Sequence, residues 1–197
     1  MLVVPASLPV NSLPEFIAYA RARPGQLNYG SPGEATAPVP ETALLMKLTG
    51  IRLIQVPYKS GAEVVLGLLR GDVQMYFGAL PTIASQVKAG RLKALAVAAS
   101  ARSPAMPEVP TVLEAANLPG FEGIDWTGTL IAAGTPKEIV DRLSKDMIDA
   151  IRSPDIQEKF AGMGFVPIAN TPEEFRQKLE SDIARWGPLL KDLGMVK

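Results

Sequence analysis

The residues Asn28-Tyr-Gly-Ser-Pro-Gly-Glu-Ala-Thr36 combine the types and spacing best suited to chemistry. A short strand pattern, Leu27–Tyr29, breaks there into a loop of small and hydroxyl-bearing residues, just ahead of a helical run over Glu41–Thr49. A strand–loop–helix of this kind aims backbone N–H groups and the positive helix end at one point, which suits an anionic group. Gly33 keeps the backbone of that loop open to close approach, and Ser31 and Thr36 supply hydroxyl donors. The same residue types also build ordinary βα turns, so the loop alone leaves both readings standing.

Further along, Tyr58-Lys59 falls on the next βα loop and offers a phenol and an ammonium, although a solvated loop charge is the simpler role for Lys59. Histidine and cysteine are both absent from the 197 residues. That removes thiol nucleophiles, Ser-His dyads, disulfides, thiolate zinc sites and imidazole metal sites together, so no metal and no cofactor is expected. Glu63, Asp72 and Asp125 are carboxylates that nothing in the sequence brings together, and cap or loop roles account for them. A set of nucleophile, base and oxyanion donors cannot be filled, so no enzymatic activity is expected.

Lys and Arg balance Asp and Glu, 20 against 20, which gives no basic face for nucleic acid. The best apolar runs, Leu92–Ala99 and Thr129–Ala133, are strand-sized and too short to cross a bilayer. The chain opens in a strand-like run, Met1-Leu-Val-Val-Pro5, with neither the basic start nor the cleavage site of a secretory signal.

The elements that must hold the loop are well marked. Ser12-x-x-Glu15, Ser60-x-x-Glu63, Thr111-x-x-Glu114, Thr135-x-x-Glu138 and Thr171-x-x-Glu174 each fit a capping box, and Pro136 and Pro172 suit a first helical position. Gly25, Gly50, Gly71 and Gly90 follow helical runs as left-handed stops. Between the helices lie strand patterns at Leu2–Val4, Leu27–Tyr29, Arg52–Val56, Val73–Phe77 and Leu92–Ala98. This alternation predicts an α/β fold with a mostly parallel sheet. Ala99–Gly123 changes texture, rich in Pro and small residues with one capped helix near Val112–Ala116. A strand over Gly123–Ala133 carrying Trp126 follows, then a shorter helix over 155–163 and a strand over Phe165–Ile168. Two amphipathic helices carry stripes of Ile139, Val140, Leu143, Met147 and Ile151, and of Phe175, Leu179, Ile183, Trp186 and Leu190. A boundary is expected near residues 120–126. Trp186 reads as core, and Met46, Met75 and Met147 as gap-fillers.

Leu27-Asn-Tyr-Gly-Ser-Pro-Gly33, Val56-Pro-Tyr-Lys59, Gly71-Asp-Val-Gln-Met-Tyr-Phe77, Leu80-Pro81, Lys88–Val97, Val109-Pro-Thr-Val112 and Ala133-Gly-Thr-Pro136 occur in that order. With them the chain closely resembles the Bug-type solute receptors of tripartite tricarboxylate transporters, over nearly its whole length. The resemblance implies a type II periplasmic-binding-protein clamshell that binds small organic carboxylates and delivers them to a membrane permease. It implies a periplasmic location, with one complete ligand-binding lobe over 1–124 and, over 125–197, the crossing strand and C-terminal helices of an incomplete lobe one. Family members are about half as long again and begin with an export signal and a Pro-Gly-Gly loop that forms the other jaw.

Carried onto this chain, the expected ligand-binding residues are Gly30, Ser31, Pro32, Gly33, Thr36, Tyr58, Gly78 and Trp126. The match is imperfect. Family members continue Gly-x-Gly-Thr with a His further on, whereas this chain reads Gly33-Glu34-Ala35-Thr36 with Val39 in the His position. Ala35 adds a Cβ, Glu34 brings a negative charge, and Gly78-Ala79 replaces a polar Asp or Asn. Pro38 and Pro40 bias their predecessors toward extended backbone, which predicts a helix starting only at Pro40 with fewer free donors. Packing is the alternative role of Trp126. The alternative function is a non-binding, truncated or assembly species that forms a homodimer through its C-terminal amphipathic helices.

Overall fold

The computed structural model describes residues 1–33, 36–119, 121, 123, 126–163 and 165–192. Two units make up the chain, Met1–Asp125 and Trp126–Lys197.

The first unit is built on five strands: β1 (Leu2–Pro5), β2 (Leu27–Ser31), β3 (Leu53–Pro57), β4 (Tyr76–Phe77) and β5 (Leu92–Ala96). β2 and β3 pair in parallel from Leu27 opposite Leu53 to Ser31 opposite Pro57. β1 lies between β4 and β5 and is antiparallel to both. A parallel bridge from Tyr29 to Met75, with Gly30 N–H donating to Met75 O at 3.0 Å, joins the two ladders. The resulting order is β3-β2-β4-β1-β5, in which β1 alone runs against the rest. The α/β architecture expected from the alternating pattern is thus present.

Helices cover both faces. Along β1, Leu2 and Val4 join one core with Phe16, Leu45, Met75 and Phe77, while Val3 joins another with Val64, Leu68, Ile83 and Leu92. This follows from the strand period of two, and it explains why β1 is apolar throughout: both of its faces are buried. The first core is closed by α1 (Leu13–Arg21), α2 (Pro38–Thr49) and α5 (Val112–Ala116); the second by α3 (Gly61–Arg70) and α4 (Leu80–Lys88).

The local signals act largely as chemistry dictates. Ser12, Ser60 and Thr111 accept from the N–H of Glu15, Glu63 and Glu114 respectively, and Thr111–Glu114 closes a full capping box. Gly50 and Gly71 take left-handed backbone at φ 71° and 84°, and each returns its N–H to the helix it ends.

The second unit holds α6 (Lys137–Arg152), α7 (Pro154–Gly162) and α8 (Pro172–Asp192). Thr171 and Glu174 form the reciprocal cap of α8. Thr135 does not cap α6: its hydroxyl donates to Ala132 O at 2.7 Å within the preceding turn, and Pro136 stands just outside the helix instead of at its first position. The strands expected over Gly123–Ala133 and Phe165–Ile168 are not formed among the described residues. Leu130, Ile131, Val166 and Ile168 are exposed there, and an extended segment becomes a strand only beside a ladder partner. Trp186 and Leu189 of α8 are buried, whereas α6 and α7 bury no residue.

Candidate functional site

β2 delivers the loop. Its last residue, Ser31, is wholly buried, and its hydroxyl oxygen accepts from Gln55 Nε2 at 2.9 Å across the β2–β3 pair. Its carbonyl accepts from Tyr58 N–H at 2.8 Å. Gly30, one residue earlier, lies under α3: a Cβ there would come within 2.3 Å of Val64 Cγ1. Both residues therefore serve the sheet and its packing. Beyond them the chain turns at Gly33, whose φ of 128° is closed to residues with a side chain. Thr36 donates its hydroxyl to Gly33 O at 3.1 Å and fixes the width of the turn. The readings placed on Glu34 and Ala35 lie outside the described residues.

α2 begins at Pro38, two residues earlier than the proline pair predicts. Ala37 sits at the N-cap in helical backbone, despite the clash a following proline imposes. The start is possible because first-turn positions have no N–H acceptor to lose, so Pro38 and Pro40 sacrifice nothing within the helix. The same substitution strips donors from the helix end. Pro38 and Pro40 carry no N–H, Val39 donates to Thr36 O at 3.0 Å, and Glu41 donates to Ala37 O at 3.2 Å.

A cavity of about 190 Å³ opens against this loop. One wall comes from Pro32, Thr36, Ala37, Pro38 and Glu41. The facing wall is the end of β4 and its turn, Tyr76 to Ala79, with Met1 at the edge. Gly78 exchanges both backbone hydrogen bonds with Met1, each at 2.8 Å, which continues the β1–β4 ladder to the rim. A Cβ on Gly78 would lie 2.6 Å from Ile83 Cγ2 and 2.7 Å from the Tyr76 ring. Ala79, in extended backbone, is the N-cap of α4. Among the described residues nothing accepts from the N–H groups of Ala79 and Leu80, so α4 presents the free donors that α2 lacks. A second depression, about 300 Å³, lies away from the loop between α1, the end of α2 and α5, with Arg21 the one charged side chain among the described residues on its wall.

Pro32, Thr36 and Gly78 are thus brought together at the cavity, with Gly33 holding the turn between two of them. Tyr58 stands elsewhere. Its hydroxyl packs on α3, where a Cβ on Gly67 would come within 2.4 Å of it, and burial, with the Asp72 charge adding, pushes its phenol above the usual tyrosine value. Lys59 is exposed. Trp126 belongs to the second unit, where its indole N–H donates to Asp182 Oδ2 at 2.7 Å and its ring meets Phe175 edge-on at 5.2 Å. Glu41, Tyr76 and Phe77 line the cavity without having been singled out from the sequence. Glu41 is the notable omission: a carboxylate 3% exposed in a helix's first turn carries no sequence signal beyond its place three residues past the first proline. Among the described residues no group of three or more acidic side chains could hold a metal ion.

A mixed sheet with one reversed strand, helices on both faces and a cavity at the strand ends defines a binding-protein lobe. The model of the tripartite tricarboxylate transporter family receptor matches residues 1–195, and the chain belongs to that family. It is similar to the UPF0065 protein of the tcbD–tcbE intergenic region of Pseudomonas sp. strain P51, at 34% identity over 96% of this chain and 56% of that protein. It is similar to protein BugT of Bordetella pertussis at 30% identity, over 98% and 59% respectively. The chain therefore spans less than two thirds of the length of these relatives. Among solved structures, R. palustris Rpa4515 with adipate superposes with a TM-score of 0.90 at 33% identity, over 98% of this chain and 64% of that one. MatC from Rhodopseudomonas palustris with bound malate superposes at 0.83 and 28% identity, over 96% and 65%. The periplasmic binding protein BugD does so at 0.86 and 28% identity, over 98% and 65%.

Proposed function

We propose that this chain is the ligand-gripping part of a periplasmic receptor for small organic carboxylates, which hands its ligand to a membrane permease of the tripartite tricarboxylate type. Residues 1–124 are the complete lobe, and 125–197 supply the crossing segment and C-terminal helices of the other. The observation that carries the reading is the cavity bounded by the β2–α2 loop and the β4–α4 turn, with the free amides of Ala79 and Leu80 at the start of α4. Paired amides at a helix start hold a carboxylate by charge-assisted hydrogen bonds. The two neighbours that carry adipate and malate make C4 to C6 acids the first candidates. The role is capture and release: the residues at the cavity orient an acid and form no covalent bond with it. Calorimetric titration with di- and tricarboxylates tests this. Saturable binding that weakens on Ala79→Pro, which removes one of the two amides at a backbone φ of −63° that proline adopts, is expected; absence of binding to every acid contradicts it.

A second reading is favoured by α6, where Ile139, Leu143 and Met147 are 47%, 44% and 39% exposed along one stripe. Such a stripe promotes pairing with a second copy of the chain. Light scattering that returns a dimer dispersed by Leu143→Lys supports this reading, and a monomer at micromolar concentration removes it.

A further inference from the structure

One end of the first unit gathers cations. β2, β3 and β4 run parallel, and β1 is antiparallel to β4 and β5, so four strands begin at the same end of the sheet. The cavity lies at the other end, where β2 and β4 finish. α1 to α4 carry Arg21, Lys47, Arg70 and Lys88 in their last turns, which lead back to the strand starts. Arg23, Arg52 and Arg91 stand just ahead of β2, β3 and β5. Main-chain bonds fix this grouping: Gly25 N–H donates to Arg52 O at 3.1 Å, and Ala6 N–H to Arg91 O at 3.0 Å. The Arg21 guanidinium donates to Thr49 O at 2.8 Å and joins the ends of α1 and α2. Part of the charge has internal work. Arg70 pairs with Asp72 at 2.9 Å, and Glu15 and Lys93 meet at Asn11, whose N–H donates to the carboxylate and whose side-chain oxygen accepts from the ammonium. Each helix C-terminus carries about half a negative charge, so four helices offset about two of the six cations that remain. About four positive charges are left at one end of a chain whose formal net charge is zero. Arg52, Lys88 and Arg91 are exposed, and among the described residues nothing accepts from their side chains.

We infer that this basic end of the lobe docks on an anionic lipid surface. Its cations sit at separate strand starts across a five-stranded sheet, about 19 Å wide at the usual strand spacing, which suits a charged plane more than one acidic side chain. A protein partner would be expected to find packed apolar or aromatic anchors at the centre of the patch. Here Leu48 and Ile54, 42% and 51% exposed, stand singly, and the ring of Tyr19 is covered by Arg23, whose guanidinium carbon lies 3.8 Å from its centroid. Cations interspersed with lone aliphatic side chains match a headgroup layer, which offers phosphates to the first and shallow apolar contact to the second. Docking at this end leaves the cavity uncovered by lipid. The inference goes beyond the receptor reading and does not depend on it, because attachment requires no carboxylate ligand.

The test is co-sedimentation of the untagged 197-residue chain with phosphatidylcholine vesicles and with vesicles containing about one third phosphatidylglycerol, at low and at physiological salt. Binding is expected to the anionic vesicles alone, and it should weaken as salt rises. Arg52→Gln, Lys88→Gln and Arg91→Gln combined should weaken it by about tenfold or more, since each cation near such a surface is worth about fivefold. Lys137→Gln, Arg142→Gln and Lys145→Gln combined remove the same charge from α6 and should weaken it far less, which separates the place of the charge from its amount. Both variants are checked for native circular dichroism. Equal sedimentation with neutral and anionic vesicles, none with either, or equal losses in the two variants each overturns the inference. Binding of poly-L-glutamate without binding of the anionic vesicles also overturns it and assigns this end to an acidic protein surface. No carboxylate ligand enters the assay, so any of these failures leaves the receptor reading intact.

Discussion

Gln55 Nε2 donates to Ser31 Oγ at 2.9 Å, and Ser31 is wholly buried at the end of β2. The hydroxyl oxygen that the sequence offers to a ligand accepts a hydrogen bond inside the sheet. Ser31→Ala should cost about 1 kcal/mol of stability, the net worth of one hydrogen bond whose remaining partner can reach water. Carboxylate affinity should move by less than about twofold, a fraction of one hydrogen bond. Urea unfolding and calorimetry on the same variant separate the two effects. A large loss of affinity with unchanged stability would return Ser31 to the ligand.

Gly30 and Val64 give a packing prediction. A Cβ on Gly30 would overlap Val64 Cγ1 at 2.3 Å, so Gly30→Ala should destabilise by about 1–3 kcal/mol. Val64→Ala removes the obstructing methyl, and the double variant should be more stable than the sum of the two single costs predicts. Strict additivity in denaturant melts would mean that the glycine is needed for another reason.

Pro38 is the simplest place to restore an anion donor. Pro38→Ala supplies an N–H at the first position of α2, where it has no helical acceptor and adjoins the cavity. A hydrogen bond to a charged group is worth about 1.5–3 kcal/mol, so dicarboxylate affinity should rise by about tenfold or more. Unchanged affinity would show that ligands do not approach α2.

Burial pushes the Tyr29 phenol up to about 12 from its ordinary 10.0. The folded state therefore keeps its proton where the unfolded chain gives it up. Its contribution to stability is complete below pH 10 and declines as pH rises from about 10 through 12, by roughly 3 kcal/mol across two units. Tyr29→Phe should flatten that decline in melts recorded between pH 9 and 12. An equally steep fall in the variant would assign it to other groups.

What the sequence made legible was what short-range chemistry decides. Ser60 and Thr111 cap their helices as their spacing requires, Gly50 and Gly71 end theirs, and β1 through β5 fall where the apolar runs lie. The errors arise where a distant partner decides. Residues 126–133 and 165–168 have strand composition but no ladder neighbour among the described residues, and composition alone cannot supply one. The Thr135 hydroxyl could have capped α6, yet the turn ahead of it offered Ala132 O. Pro40 looked like a helix start until burial of Val39, Ala43 and Leu45 drew the first turn back to Pro38. At the cavity, Pro32, Thr36 and Gly78 were readable as loop and turn residues, whereas the directions of Tyr58, toward Gly67, and of Glu41, toward Gly123, are set by tertiary packing.

On the proposed function, the cavity between Thr36 and Gly78 grips a small organic acid. Isothermal titration of the chain with adipate, malate, citrate and L-glutamate, beside Ala79→Pro, measures it directly. Saturable one-to-one binding of at least one acid, lost or weakened more than about tenfold in the variant, is the predicted result. Binding that the Ala79→Pro change leaves untouched, or no binding by any acid to a correctly folded chain, would contradict it.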